Sequence, residues 1–260
     1  MKEVLFEVEN LRVRYGNTEI IKGVNLKLKG GRLTGFLGLN GTGKTTMVKA
    51  LCGLIPCEVD SCRACGEEIT NLSEKKKACY ISYVPQRSNF TYNISTIDVV
   101  SMGFNPYLKL MQSPSKKQKE QAAEVLKSLG LKEKIHMDYQ KLSGGQQQLA
   151  ILARAIVQNT PIMFFDEPDS ALDFPNHHLI LNKIGQVLKE NNSCGLITMH
   201  DPNYALTYCD EILVLKDGTI VERIEPKRES KDEIKKKLST IYKGIEILDY
   251  KNQYYMVKEV

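Results

Sequence analysis

Residues 38–45 read Gly38-Leu39-Asn40-Gly41-Thr42-Gly43-Lys44-Thr45, and no other run constrains the chain as much. The run matches G-x4-G-K-[ST]. It lies between an apolar stretch, Leu33 to Leu37, and a segment, Thr45 to Leu51, whose Met47, Val48, Ala50 and Leu51 suit a helix packed on a sheet. Three glycines let backbone amides turn inward around phosphates at the start of that helix. Lys44 adds a cation for the β and γ phosphates, and the Thr45 hydroxyl can ligate Mg²⁺. A glycine-rich turn without function would not need a strand before it and a helix after it, so the run points to nucleotide binding.

Around this unit the chain alternates. Leu5, Val8, Leu11 and Val13, then Ile20, Ile21, Val24, Leu26 and Leu28, read as strands with a turn at Tyr15-Gly16-Asn17, which predicts an antiparallel β layer. Ala78 to Val84 forms a further β pattern. From Pro85-Gln86 to about residue 140 the texture is helical, clearest in Ala122, Val125, Leu126 and Leu129. A helix over 146–158 precedes Ile162 to Phe165, an all-apolar run of the kind found in central parallel strands; Gly195 to Met199 and Ile212 to Leu215 repeat it. Strands alternating with helices predict an α/β fold with a mainly parallel sheet and a ligand site at the strands' carboxyl ends.

Three further groups carry chemistry. Ile162 to Phe165 ends in Asp166 and Glu167, placed to hold Mg²⁺ and to polarise an attacking water, respectively. His200 closes the run Leu196 to Met199 and should emerge at the same sheet edge, as a γ-phosphate contact. Leu142-Ser143-Gly144-Gly145-Gln146 opens a helix, a second ready anion site. Two phosphate-binding helix ends suggest that each serves a different molecule's nucleotide, hence a dimer.

Composition excludes several classes. Of 260 residues, 42% are apolar and 26% charged, which is ordinary for a globular protein, and no run reaches the roughly 18 apolar residues of a spanning helix. The N-terminal MKEVLFEVEN lacks a signal-peptide pattern, so a cytoplasmic location is expected. Lys and Arg number 36 against 31 Asp and Glu, too mild an excess for a dedicated nucleic-acid binder, and the mixed charges beyond Pro226 read as a solvated helix face. Seven cysteines suit free thiols. Cys57, Cys62 and Cys65 supply three soft ligands with no nearby fourth, and read as a loop rather than a zinc site.

In order, these motifs resemble those of the nucleotide-binding subunit of an ABC transporter over nearly the whole chain: the phosphate loop Gly38 to Thr46, the glutamine loop Tyr83 to Gln86, the signature Leu142 to Gln146, the strand Ile162 to Glu167, the D-loop Ser170-Ala171-Leu172-Asp173, and the switch histidine His200. The resemblance implies a P-loop NTPase (RecA-like) core with a mainly parallel sheet, an N-terminal antiparallel β layer and a helical insertion. The expected division is 1–86 with 150–225 for the core, 87–149 for the helical part carrying the signature, and 226–260 for a short C-terminal extension. It implies an ATPase using ATP and Mg²⁺, with Glu167, His200 and Gln86 catalytic and Thr45, Gln86 and Asp166 about the metal. Tyr15 would stack on adenine, while Gly38, Asn40, Gly41, Gly43, Lys44, Thr45 and Thr46 would hold phosphates. Ser143, Gly144 and Gly145 would clasp the nucleotide of the other subunit, and Asp173 would lie at the dimer interface.

The partners so implied are a second copy, transmembrane permease subunits and, indirectly, a substrate-binding protein, at the cytoplasmic face of the membrane, with no nucleic acid. Ser101 to Tyr107, Leu172-Asp173-Phe174 and Met199 to Asn203 are similar to importers of iron-siderophore, haem, cobalamin or molybdate-type substrates. Asp169 stands where that family usually has Thr, and Gln147 and Leu149 where it usually has basic residues. The alternative is a soluble ABC ATPase without a permease, as in iron–sulfur cluster assembly, which Cys57, Cys62 and Cys65 alone would favour.

Overall fold

The computed structural model describes residues 3–86, 88, 90, 93–168 and 172–259. The chain opens with β1 (Val4–Tyr15) and β2 (Thr18–Lys29), then β3 (Arg32–Leu37), α1 (Lys44–Leu51), β4 (Ser61–Ala64), β5 (Glu67–Glu68), α2 (Glu74–Lys77) and β6 (Ile81–Val84). A helical stretch follows: α3 (Thr96–Ser101), a 3-10 turn at Met102–Tyr107, α4 (Lys116–Ser128) and α5 (Gly144–Gln158). Next come β7 (Ile162–Asp166), α6 (Phe174–Glu190), β8 (Cys194–Thr198), α7 (Pro202–Tyr208), β9 (Glu211–Lys216) and β10 (Thr219–Ile224). The chain closes with α8 (Lys231–Leu238) and a hairpin of β11 (Ile245–Tyr250) and β12 (Gln253–Lys258).

Two sheets carry the fold. One is antiparallel, in the order β2-β1-β4-β5; the other runs β10-β9-β3-β8-β7-β6 and is parallel except at β10. The apolar runs of the central strands are explained by burial on both faces. On β7, Ile162 and Phe164 enter one core with α1 and the antiparallel sheet, while Met163 and Phe165 enter a second core with the helices. Successive side chains of a strand point to opposite faces, so one five-residue strand feeds both. Phe6 of β1 meets Phe164 edge-on, with ring centroids 5.3 Å apart, and ties the sheets together.

The stretch around Cys62, expected as a loop, instead forms strand β4 against β1, and apart from one-residue shifts at strand ends two further boundaries differ from the sequence pattern. The β pattern from Ala78 shortens to Ile81–Val84, because the amides of Ala78, Cys79 and Tyr80 donate back to the carbonyls of Glu74, Lys76 and Lys77 and complete the turn after α2. Helix α5 starts at Gly144, two residues early, because Ser143 caps it: the Gln146 amide donates to Ser143 Oγ, and the Ser143 amide to Gln146 Oε1. From there α5 leaves the helical group and ends against β6, where Gln158 donates to the carbonyls of Ala78 (2.7 Å) and Ile81 (3.2 Å).

The C-terminal charges form ion pairs on and around α8: Lys235 with Glu246 and Glu259, in solvent, and Lys237 with Glu229, partly covered. The hairpin is tied to α7 by Asn203, whose side-chain amide donates to the Met256 carbonyl (3.2 Å) and accepts from the Met256 amide (2.7 Å).

Candidate functional site

The loop between β3 and α1 is forced by close packing. A side chain at Gly38 would bring its Cβ to 2.7 Å from the Leu215 carbonyl oxygen, and Gly43, which precedes α1, has a φ of +99° that side chains rarely adopt. Gly38→Ala is therefore expected to cost about 1–3 kcal/mol of stability, read as a lower denaturation midpoint in urea; an unchanged midpoint would show that the loop can give way. Lys44, 5% exposed, donates to the carbonyls of Gly38 (2.8 Å) and Leu39 (3.3 Å), so its ammonium is held inside the loop. Burial lowers its pKa, while the nearby Glu167 and Asp166 carboxylates act against that.

Across the loop, β7 delivers the two carboxylates to the sheet edge. The Thr45 hydroxyl donates to Asp166 Oδ1 at 2.9 Å, the Thr198 hydroxyl to the same oxygen at 3.0 Å, and the Tyr83 hydroxyl to Oδ2 at 3.3 Å. Burial, and next the Asp166 charge, push the Tyr83 phenol well up, so it stays a donor. Glu167 sits at a φ of +48°, a left-handed conformation that costs a non-glycine residue about 1–3 kcal/mol, and its amide donates to Thr198 Oγ at 2.8 Å. Glu167 is 6% exposed, and its Oε2 lies 2.7 Å from both Gln86 Nε2 and His200 Nε2.

An open cleft of about 300 Å³ lies over this arrangement. Its walls bring together Tyr15, Asn40, Gly41, Gly43, Lys44, Thr45, Thr46, Glu167 and His200, with Ile20. Gly38 lies beneath the loop, Asp166 behind Thr45, and Gln86 joins through Glu167. Ser143, Gly144, Gly145 and Asp173 do not line the cleft. They form a separate group: Ser143 caps α5, Asp173 caps α6, and a Cβ on Gly145 would lie 3.0 Å from Leu172. Asp169 and the D-loop residues Ser170 and Ala171 lie outside the described residues.

A family model described as ABC transporter matches residues 21–170, from β2 through both carboxylates. The chain belongs to the ABC transporter family. It is an ATP-binding cassette with the P-loop NTPase fold, of the family whose ATPases are coupled to transport. A Helicobacter pylori protein named as a probable iron chelatin transport ATP-binding protein is 35% identical over 215 residues, covering 82% of this chain and 84% of that protein. A solved structure described as an inward-facing transporter of metal-chelate type superposes with a TM-score of 0.77 at 25% identity, covering 98% of this chain and 96% of the other. A cassette solved as a dimer in a post-hydrolysis state with ADP and phosphate superposes with a TM-score of 0.75 at 25% identity, over 85% and 99% of the two chains.

Three contacts of the cassette escaped the motif reading. Thr198 and Tyr83 hold the Asp166 carboxylate, and Gln148, on α5 beyond the signature, donates to the Pro85 carbonyl at 3.1 Å and so links the signature helix to the glutamine loop. Neither Gln148, third in a run of glutamines, nor Tyr83, next to Ser82, stands out in the sequence, and Thr198 is an ordinary strand residue. Of the three cysteines, Cys62 is buried on β4, where burial pushes its thiol up to about 12, whereas Cys57 and Cys65 are exposed. Among the described residues no three His, Cys, Asp or Glu side chains form a ligand cluster. No helix among them is long and apolar enough to cross a membrane.

Proposed function

We propose that this cassette hydrolyses ATP as a head-to-tail pair and drives import of a metal chelate through a membrane permease. One observation carries the pairing. The cleft and the groups directly behind it gather the phosphate-loop half of a nucleotide site, and the second anion-binding helix end, at Ser143 to Gly145, is built elsewhere in the chain. A second copy turned head to tail would bring its Ser143 and Gly145 to the open side of the cleft, with Asp173 at the seam. The dimeric cassette with ADP and phosphate supports this arrangement, and the named cargo of the Helicobacter pylori protein and the metal-chelate neighbour support the substrate class.

Each residue then has a role. Tyr15, half-exposed at the rim, offers its ring to adenine, and Asn40 to Thr46 with Lys44 wrap the phosphates. Mg²⁺ takes few protein oxygens and keeps waters and phosphates as its other ligands, a demand that the touching Thr45 hydroxyl and Asp166 carboxylate satisfy, with Gln86 bonded to the neighbouring Glu167. Bound there, the ion would neutralise phosphate charge. Glu167 accepts the proton of the attacking water; His200 and Gln86, both on its Oε2, orient it and report on the γ-phosphate.

We take 1–86 with 150–225 as the nucleotide core, 87–149 as the helical subdomain and 226–260 as the C-terminal extension. The groove between edge strand β6, α2 and the turn Met102–Tyr107, about 580 Å³ and lined by Tyr83, Met102, Pro106 and Arg154, is where we place the permease contact, three residues from Gln86. Affinity capture of the tagged protein from gently solubilised membranes tests the transport reading. Recovery of a polytopic membrane protein is expected; recovery of soluble partners alone would overturn it.

A further inference from the structure

We propose that Thr198 is a positioning residue for ATP hydrolysis, its one hydroxyl setting the geometry of both carboxylates. Thr198 has no solvent exposure and faces Asp166 as the last matched pair of the parallel β7–β8 ladder. Its proton goes to Asp166 Oδ1 at 3.0 Å, and its oxygen accepts the Glu167 amide at 2.8 Å. A hydroxyl can donate one bond and accept others, so a single atom serves both neighbours with opposite roles.

The second bond matters because of where Glu167 lies. At a φ of +48° its amide has left the ladder, and the Thr198 oxygen is what receives it. The first bond matters because Asp166 Oδ1 is shared with the Thr45 hydroxyl while Oδ2 accepts from Tyr83, so Thr198 is one of three donors that determine which way the carboxylate turns. Valine has the shape of threonine without the hydroxyl. It would leave the Glu167 amide without its buried partner and Asp166 held by Thr45 and Tyr83 alone, so that both carboxylates lose part of what fixes them. Serine keeps the oxygen and loses only a methyl group.

This role rests on the proposed functions of Asp166 and Glu167, so the test carries Glu167→Gln beside it. Thr198→Val is expected to lower kcat about tenfold or more with KM for ATP within about twofold, and Thr198→Ser to stay within about threefold of the parent. A readout without turnover accompanies these: the ratio of fluorescent-ATP affinities with Mg²⁺ and with EDTA should fall in the valine variant and hold in the serine variant. Should valine prevent folding, Thr198→Ala is read in the same way. A valine or alanine variant with parental kcat and parental Mg²⁺ dependence, next to an inactive Glu167→Gln, overturns the role of Thr198 alone; a Glu167→Gln protein that turns over normally overturns the reading of the site on which it depends.

Discussion

Replacing Glu167 with Gln is expected to cut ATP turnover by about 10²–10⁴-fold, the usual contribution of a positioned general base, while ATP continues to bind. The two effects separate because of how the side chain is held. Glu167 faces the cleft beside the phosphate loop, yet its carboxylate is held by Gln86 and His200, and the loop itself is held by Lys44 and by the Gly38 packing. A glutamine is nearly the same size and can still pair with both neighbours, so the cleft should keep its shape and lose only the proton acceptor. The head-to-tail pair would then close around ATP and stay closed, visible as an ATP-dependent dimer on size exclusion in the variant. Turnover within about threefold of the parent would remove Glu167 from the reaction.

What could be read from residues alone follows physical range. The phosphate loop was legible because its requirements are local: glycines where amides must converge, and a lysine and a threonine at fixed offsets along one turn of helix. The parallel strands were legible because burial on both faces leaves an uninterrupted apolar run, as in Ile162 to Phe165. The shared sheet edge of Asp166, His200 and the phosphate loop was legible too, but the individual contacts made by sheet register were not. Thr45 meets Asp166 across 121 positions, Gln86 meets Glu167 across 81 and Thr198 meets Asp166 across 32, and each depends on which strands become neighbours. Thr198 was hidden for that reason: by itself it is a threonine near the end of a β run, an ordinary residue there. The early start of α5 and the late start of β6 were each set by a few hydrogen bonds at the element's first turn, finer than hydrophobic periodicity resolves.

Lys44→Ala is expected to abolish activity from the other direction, by weakening ATP binding as well as hydrolysis, with kcat/KM down about 10²–10³-fold or more. The buried ammonium sits on the carbonyls of Gly38 and Leu39, the one lysine or arginine lining the cleft among the described residues, so its loss leaves the phosphate charge facing Asp166 and Glu167. Alanine at this position keeps the helix, since Lys44 is its first residue and alanine is the best helix former. Nucleotide titration should show the loss directly, and ATP affinity within about twofold of the parent would contradict the placement of Lys44.

The central claim, that each nucleotide is shared between the phosphate loop of one copy and the signature of the other, is tested by mixing. Ser143→Asp keeps a capping oxygen for α5 but sets a negative charge against phosphate, and should be inactive alone, as should Lys44→Ala. Mixed in equal amounts, the two inactive proteins form hybrid pairs in which one site joins the altered loop to the altered signature and the other joins two intact halves. Statistical pairing then predicts recovery of about one quarter of parental ATPase activity. A mixture no more active than its components would contradict the shared site and place the whole nucleotide site within a single chain.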